Sequence, residues 1–148
     1  MNEDGYFKYD DYDFHFGNSD NPELDREEWS VVHMVVFVRL MFGAGFEGEP
    51  PNEHFASARA RFMAGKMDGA DYLFEYMDGK ITSLDFNEAG NRFARAYYDR
   101  YLVDFENHAG ITRYREPEDN VNMEAIEDIF DSRLSNFLQT GDLGKETR

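Results

Sequence analysis

The sequence contains no cysteine, and it has only four prolines in 148 residues. Without cysteine there is no disulfide, no thiolate metal ligand and no cysteine nucleophile. Long apolar runs are missing too, because the longest, residues 31–42, is interrupted by His33 and Arg39. A helix that crosses a bilayer needs about 20 predominantly apolar residues. We therefore expect a soluble protein without a membrane span. Residues 1–5 resemble no secretory signal, so we predict a cytoplasmic location.

Basic residues are scarce, since 15 lysines and arginines stand against 31 aspartates and glutamates. The formal net charge of −16 disfavours contact with nucleic-acid phosphates and anionic membranes, and it favours basic protein partners. An acidic surface can also serve solubility alone. The chain is not typical of disorder, because 41% of its residues are hydrophobic and 16% are aromatic. A chain of this length can bury a substantial core as one domain.

Hydrophobic periodicity predicts a mainly α fold, a compact bundle of about five helices. We expect one domain, 1–148, made of an extended acidic and aromatic arm over 1–22, a helical body over 23–138 and a flexible tail over 139–148. One or two short strands are expected, one of them in the arm; residues 111–116 are expected to form either a short strand or an extended link. The predicted helices cover approximately residues 25–42, 52–64, 70–77, 83–106 and 122–138. Asn52 is the predicted N-cap of the second of these helices, and Thr82 or Ser83 is the predicted N-cap of the fourth. The first of these has apolar residues on nearly every face, so we expect it to be central and buried.

Three separated motifs resemble a family of small, acidic, uncharacterised bacterial proteins. The first is Lys8 to Asp11 (KYDD) with His15 and Gly17, and the second is residues 67–73 (MDGADYL). The third is residues 87–102 (NEAGNRFARAYYDRYL). Phe14 stands where the resembling family usually has tryptophan. The resemblance covers approximately residues 8–106 and extends loosely over 113–137. Such proteins are similar to the immunity partners of bacterial polymorphic toxins, which implies a binding function.

Familiar catalytic and cofactor motifs are not found in the sequence. There is no Gly-x-Ser-x-Gly elbow and no glycine-rich phosphate loop. The four histidines show no paired spacing of the kind that binds zinc, so we predict neither a metal nor a cofactor. His33 lies in an apolar segment, where a structural hydrogen bond to an arm aspartate or a tyrosine is the favoured interpretation. Tyr97 and Tyr98 recur at helical spacing and are expected to be core residues whose hydroxyls attach the arm to the body.

Acidic clusters are the main candidates for a binding surface. Residues 116–131 contain seven acids and no base, and four of those acids recur at intervals of three and four residues on one predicted helix face. Like charges so placed repel one another, so a basic partner is one explanation and a solvated face is the other. The predicted contact residues are Asp10, Asp11, Asp13, Glu118, Asp119, Glu124, Glu127, Asp128 and Asp131.

Two functions of different classes follow from these patterns. The first is an acidic immunity protein or antitoxin that occludes the active site of a basic toxin domain. The second is a small enzyme that uses His15 and His33 with aspartates of the arm. A regulatory adaptor without a toxin partner is a further alternative, and the sequence does not define an oligomeric state.

Overall fold

The computed structural model describes residues 6–15 and 27–144. These two ranges form a mainly α fold with a small two-stranded sheet, which confirms the predicted fold class. Residues 1–5 and 16–22 of the predicted arm, and residues 145–148 of the predicted tail, lie outside the described residues. The elements in chain order are β1 Lys8–Asp11, α1 Tyr12–His15, α2 Glu27–Ser30, α3 Val32–Gly43, α4 Glu53–Met63, α5 Gly69–Tyr76, β2 Lys80–Thr82, α6 Glu88–His108 and α7 Met123–Thr140.

Helix α3 is the centre of the molecule, as its apolar sequence predicts. Every residue of this helix except Arg39 and Gly43 is buried. Phe37 packs among aromatic rings of α6, with ring centroids 4.9 Å from Tyr98 and 4.8 Å from Tyr101. A helix that is apolar all round requires neighbours on all sides, and the rest of the fold supplies them.

Helices α6 and α7 pack against each other through aromatic rings and one buried ion pair. Phe93 and Phe130 meet edge to face with ring centroids 5.6 Å apart. The Arg133 guanidinium donates to both carboxylate oxygens of Asp104, at 3.0 and 3.1 Å. The Tyr97 hydroxyl donates to the same carboxylate at 2.7 Å. Arg133, the one charged residue in the apolar stripe of α7, is thus paired inside the core.

The arm joins the body as a strand. β1 pairs antiparallel with β2, with Lys8 opposite Thr82 and Asp11 opposite Lys80, and the register shifts between Lys8 and Asp10. This strand confirms an extended arm for residues 8–11, whereas the next four residues form the single helical turn α1. The shift in register and the helical turn place Asp10 and His15 on the buried side.

Polar side chains begin four of the helices. Asn52 accepts from the backbone of Phe55 and begins α4, as predicted. Asn122 caps α7 in the same way, and Asp68 caps α5. The predicted cap at Thr82 or Ser83 is wrong for α6, because Thr82 caps a short 3-10 turn and Asn87 caps the long helix. Of the two alternatives for residues 111–116, a short strand or an extended link, the strand is absent from the described fold, where that segment is an irregular connection.

Two glycines differ in the space around them. At Gly90, in the first turn of α6, an added Cβ would lie 2.7 Å from the Cβ of Phe46 and 3.0 Å from its carbonyl oxygen. At Gly43, the last residue of α3, the nearest atom would be the Met63 methyl carbon at 3.9 Å. Of these two glycines, Gly90 is the one that close packing requires.

Within the described part of the chain, no helix is both long and apolar enough to span a bilayer.

Candidate functional site

Three polar side chains converge in the core where the arm meets α3. Nε2 of His15 lies 2.6 Å from Oδ1 of Asp10, and Nε2 of His33 lies 3.2 Å from Oδ2 of the same carboxylate. The two Nε2 atoms are 3.1 Å apart. All three side chains are buried, with residue exposures of 9% for Asp10, 2% for His15 and 1% for His33. We call Asp10, His15 and His33 the buried triad.

Tyrosine hydroxyls surround the buried triad. The Tyr98 hydroxyl donates to Oδ2 of Asp10, which attaches the arm to α6 as predicted. The Tyr114 hydroxyl lies 2.5 Å from Nδ1 of His15. Nδ1 of His33 has no hydrogen-bond partner among the described residues. The predicted structural bond of His33 to an arm aspartate is therefore present, and His15 shares that aspartate.

Burial and hydrogen bonding set the charges in this cluster. Burial would raise the pKa of Asp10, but the hydrogen bonds from His15 and His33 hold it well below its ordinary value. Burial lowers the pKa of His33 to about 4, against the opposing effect of Asp10. Burial also raises the pKa of Tyr98 and Tyr114, which therefore remain protonated at neutral pH. The cluster thus contains a carboxylate, a neutral His33 and two phenolic donors.

Tyr114 is placed by an unusual backbone conformation. Its φ is 74°, in the left-handed region, which costs a non-glycine residue roughly 1 kcal/mol or more. The guanidinium carbon of Arg113 lies 4.9 Å from the centroid of the Tyr114 ring. This conformation brings the Tyr114 hydroxyl to His15 from the irregular segment after α6.

A cleft of about 340 Å³ adjoins the buried triad. Asp10, His15 and Tyr98 contribute to its lining, together with the exposed side chain of Phe14. The triad is therefore inside the core but borders a space large enough for several water molecules or a small ligand.

The predicted contact acids fall into different environments. Asp10 is wrong as a surface contact, because its carboxylate is buried and bound by the two histidines. Asp11 is paired with Lys8, and its side chain is only 16% exposed. Glu118 is paired with Arg39. Asp13 and Asp119 are exposed.

The remaining four predicted acids form one exposed surface on α7. All four are exposed, and none forms an ion pair with a base among residues 6–15 and 27–144. We call this surface the acidic face; its members are Glu124, Glu127, Asp128 and Asp131.

The acidic face borders a cleft that leads towards Arg39. Glu127 and Asp131 line this cleft of about 270 Å³ together with Arg39 and Phe130. Arg39 also lines a second cleft, of about 560 Å³, together with Asp119. The structure thus brings acids from α7 and from the segment before it around one region, whereas Asp11 and Asp13 line a separate cleft of about 150 Å³.

A protein-family profile described as a domain of unknown function, DUF7832, matches residues 8–119. The chain belongs to this family. No curated protein and no solved structure matches it. The DUF7832 match contains the whole buried triad with Tyr98 and Tyr114, and it ends before the acidic face begins at Glu124. The triad therefore belongs to the family domain, whereas the acidic face lies in a segment outside the match.

Some site residues could not be identified in the sequence of this DUF7832 protein. Tyr114 carries no signal, because it lies in an aperiodic segment and depends on a rare backbone conformation. The sequence predicts that the hydroxyls of both Tyr97 and Tyr98 attach the arm, but the Tyr97 hydroxyl binds Asp104 rather than the triad. The two tyrosines are adjacent in α6 and point to different sides, which a period of 3.6 residues requires.

Proposed function

We propose that this protein is an acidic binding protein that neutralises a basic bacterial toxin by occluding its active site. The observation that carries the proposal is the acidic face, which has four exposed carboxylates at helical spacing without a basic partner among the described residues. Surface acids so arranged repel one another unless a cationic surface covers them. A basic nuclease-like cleft would supply that surface, and opposite charge accelerates the encounter.

The clefts beside the acidic face support a docking mode in which buried side-chain contacts add to the charge attraction. Phe130 lies at the cleft that Glu127 and Asp131 border, and the Arg39 side chain is held there by Glu118. Binding energy in protein interfaces is concentrated in a few anchors that fill pockets, while surrounding charges set rate and specificity. We expect a basic partner to insert side chains into these clefts while its cationic rim covers α7.

The experiment compares two variants with equal loss of charge. One carries Glu124→Gln, Glu127→Gln, Asp128→Asn and Asp131→Asn. The control carries Glu49→Gln, Glu53→Gln, Asp71→Asn and Glu75→Gln, four exposed acids outside the acidic face. A partner is first captured on the tagged wild-type protein from nuclease-treated host extract at low and high salt, and then produced recombinantly.

Binding and protection are then measured for both variants. We expect the acidic-face variant to lower the association rate constant by about tenfold or more, and the control to change it far less. Growth of cells that express the partner should be protected by the wild-type protein and the control, but poorly by the acidic-face variant. Equal binding by both variants would contradict the proposed surface, and a partner without toxicity would contradict neutralisation.

Catalysis is a second candidate, favoured by the assembly of Asp10, His15 and His33 in one cluster beside a cleft. In such an enzyme, His15 would transfer protons, held by Asp10 and Tyr114. The variant His15→Gln separates the two functions. A binder retains partner affinity and protection after this change, whereas an enzyme loses protection even when the variant folds and binds.

A further inference from the structure

The buried triad has the donor atoms and spacing of a cation site. Nε2 of His15, Nε2 of His33 and a carboxylate oxygen of Asp10 all lie within 4.8 Å of one another. In tetrahedral zinc sites, ligand bonds of about 2.0–2.2 Å separate the ligand atoms by approximately 3.3 Å. The two nitrogens are already 3.1 Å apart, and His15 and His33 face different oxygens of the Asp10 carboxylate. To admit a cation, the 2.6 Å contact between His15 and Asp10 opens by about 0.7 Å, and the carboxylate turns one or both oxygens towards the metal.

Without a metal ion, hydrogen bonds alone must hold the three side chains together, and this arrangement is energetically unfavourable. For both histidines to donate to Asp10, each Nε2 must carry its hydrogen, so two N–H dipoles lie side by side 3.1 Å apart. If one nitrogen loses its hydrogen, its lone pair faces the carboxylate instead. A cation replaces both hydrogens and is attracted by all three groups, so it removes both conflicts.

Neighbouring hydroxyls provide outer contacts for such a cation site. With a cation on Nε2 of His15, Nδ1 carries the proton and donates to the Tyr114 oxygen, which fixes the tautomer and the ring. Tyr98 binds Oδ2 of Asp10 and orients the carboxylate. Two of the three donor side chains therefore have the second set of hydrogen bonds that metal ligands commonly show.

We propose that the buried triad binds a divalent transition-metal cation of the zinc class. Imidazole nitrogen with carboxylate suits zinc and iron(II), whereas calcium and magnesium prefer oxygen ligands. Asp10 and His15 also line the adjoining cleft of about 340 Å³, so the proposed site borders a space from which water or a small ligand can reach it. Three protein ligands with an open position are typical of sites where the metal binds water or a small ligand. This site is independent of the acidic face and of the toxin partner proposed for it.

Metal binding is tested on the full chain without an affinity tag. The protein is stripped with a chelator and titrated with Zn²⁺, Fe²⁺ under anaerobic conditions, Mg²⁺ and Ca²⁺, with heat of binding as the readout. Co²⁺ serves as an absorbing probe of coordination geometry. We expect one equivalent of Zn²⁺ or Fe²⁺, visible absorption with Co²⁺ typical of nitrogen and oxygen ligands in low coordination number, and no binding of Mg²⁺ or Ca²⁺.

Variants then assign the ligands. His15→Gln, His33→Gln and Asp10→Asn should each weaken binding of Zn²⁺ by well over tenfold, and Tyr114→Phe by about tenfold. The matched controls are His54→Gln and Asp13→Asn, both at exposed positions, which should bind as wild type. Circular dichroism and urea unfolding establish which variants are folded, and His15→Gln and Tyr114→Phe decide the outcome if His33→Gln is unfolded. Absence of a one-equivalent Zn²⁺ or Fe²⁺ complex in the wild type, or wild-type affinity in folded His15→Gln, would overturn the proposal.

Discussion

Nε2 of His33 lies 3.2 Å from the Asp10 carboxylate, and this contact joins the central helix to the arm. His33 is completely inside the core, which lowers its pKa to about 4 from the ordinary value of 6.5. In the metal-free unfolded chain the same imidazole binds a proton below pH 6.5, while the folded chain excludes it down to about pH 4. The folded state therefore loses stability as the pH falls through this window.

We expect the free energy of unfolding of the chelator-treated protein to fall by up to about 3 kcal/mol between pH 6.5 and 4. Below this range the lowered pKa of Asp10 adds a further loss, because its carboxylate is then protonated in the unfolded chain first. Urea unfolding at a series of pH values measures the slope. His33→Gln should flatten it, and His54→Gln should not; an unchanged slope in His33→Gln would contradict this origin.

The ion pair between Arg133 and Asp104 predicts a large effect of a single substitution. Arg133→Met would leave the Asp104 carboxylate buried with the Tyr97 hydroxyl as its remaining donor from this cluster. Removing one partner of a buried ion pair typically costs about 3–5 kcal/mol. We expect a loss of this size in urea unfolding. Adding Asp104→Asn to Arg133→Met removes the unpaired charge and should restore a substantial part of the loss; a double variant that is less stable than Arg133→Met would count against this explanation.

Replacing Gly90 with alanine should lower the stability of the protein, whereas replacing Gly43 with alanine should not. Alanine is favoured over glycine within a helix by up to about 1 kcal/mol. At Gly90 this gain is opposed by the close approach of Phe46, so Gly90→Ala should lower stability by about 1–3 kcal/mol. Gly43→Ala meets no close atom and should be neutral or stabilising by about 0.5 kcal/mol. The two variants are compared by their urea midpoints, and a stable Gly90→Ala would mean that the Phe46 loop moves at little cost.

Periodicity in the sequence was sufficient to predict the helical framework. The apolar run of α3 requires burial on all sides, and the aromatic stripe of α6 requires burial on one side. Both helices can therefore be predicted from the local pattern of apolar residues. Asn52 is identifiable as a helix start because its side chain can accept from the backbone. The start of a helix is harder to predict where a capping residue begins a short turn ahead of the helix, as Thr82 does before α6.

The buried triad depends on long-range pairing that no local pattern encodes. Asp10 is positioned by the pairing of β1 with β2, some 70 residues away, and by a shift of register next to it. His15 and His33 are 18 residues apart and show no metal-ligand spacing, yet their rings are adjacent with centroids 4.2 Å apart. Local sequence therefore suggested that Asp10 was one more surface acid, because its neighbours are acidic.

The acidic face should destabilise the isolated protein. Glu127 and Asp131 are four residues apart on α7, and Asp128 and Asp131 are three apart, so each pair repels by a few tenths of a kcal/mol. Glu124 differs, because an acid in the first turn of a helix interacts favourably with the helix dipole. Neutralising Glu127, Asp128 and Asp131 together should therefore raise the free energy of unfolding by roughly 0.5–1 kcal/mol at low salt.

Salt provides the check on this electrostatic origin. Exposed charges are screened within about 10 Å at 0.1 M ionic strength, so the gain in the triple variant should shrink as salt is added. Glu88→Gln is the matched control, because Glu88 is exposed in α6 and paired with Arg92 at 3.0 Å. Its loss should be neutral or slightly destabilising. A triple variant that is less stable than wild type at low salt would show that these carboxylates make favourable interactions in the free protein, which would contradict the predicted repulsion. A binding face is expected to lower the stability of the free protein and to raise the affinity of the complex.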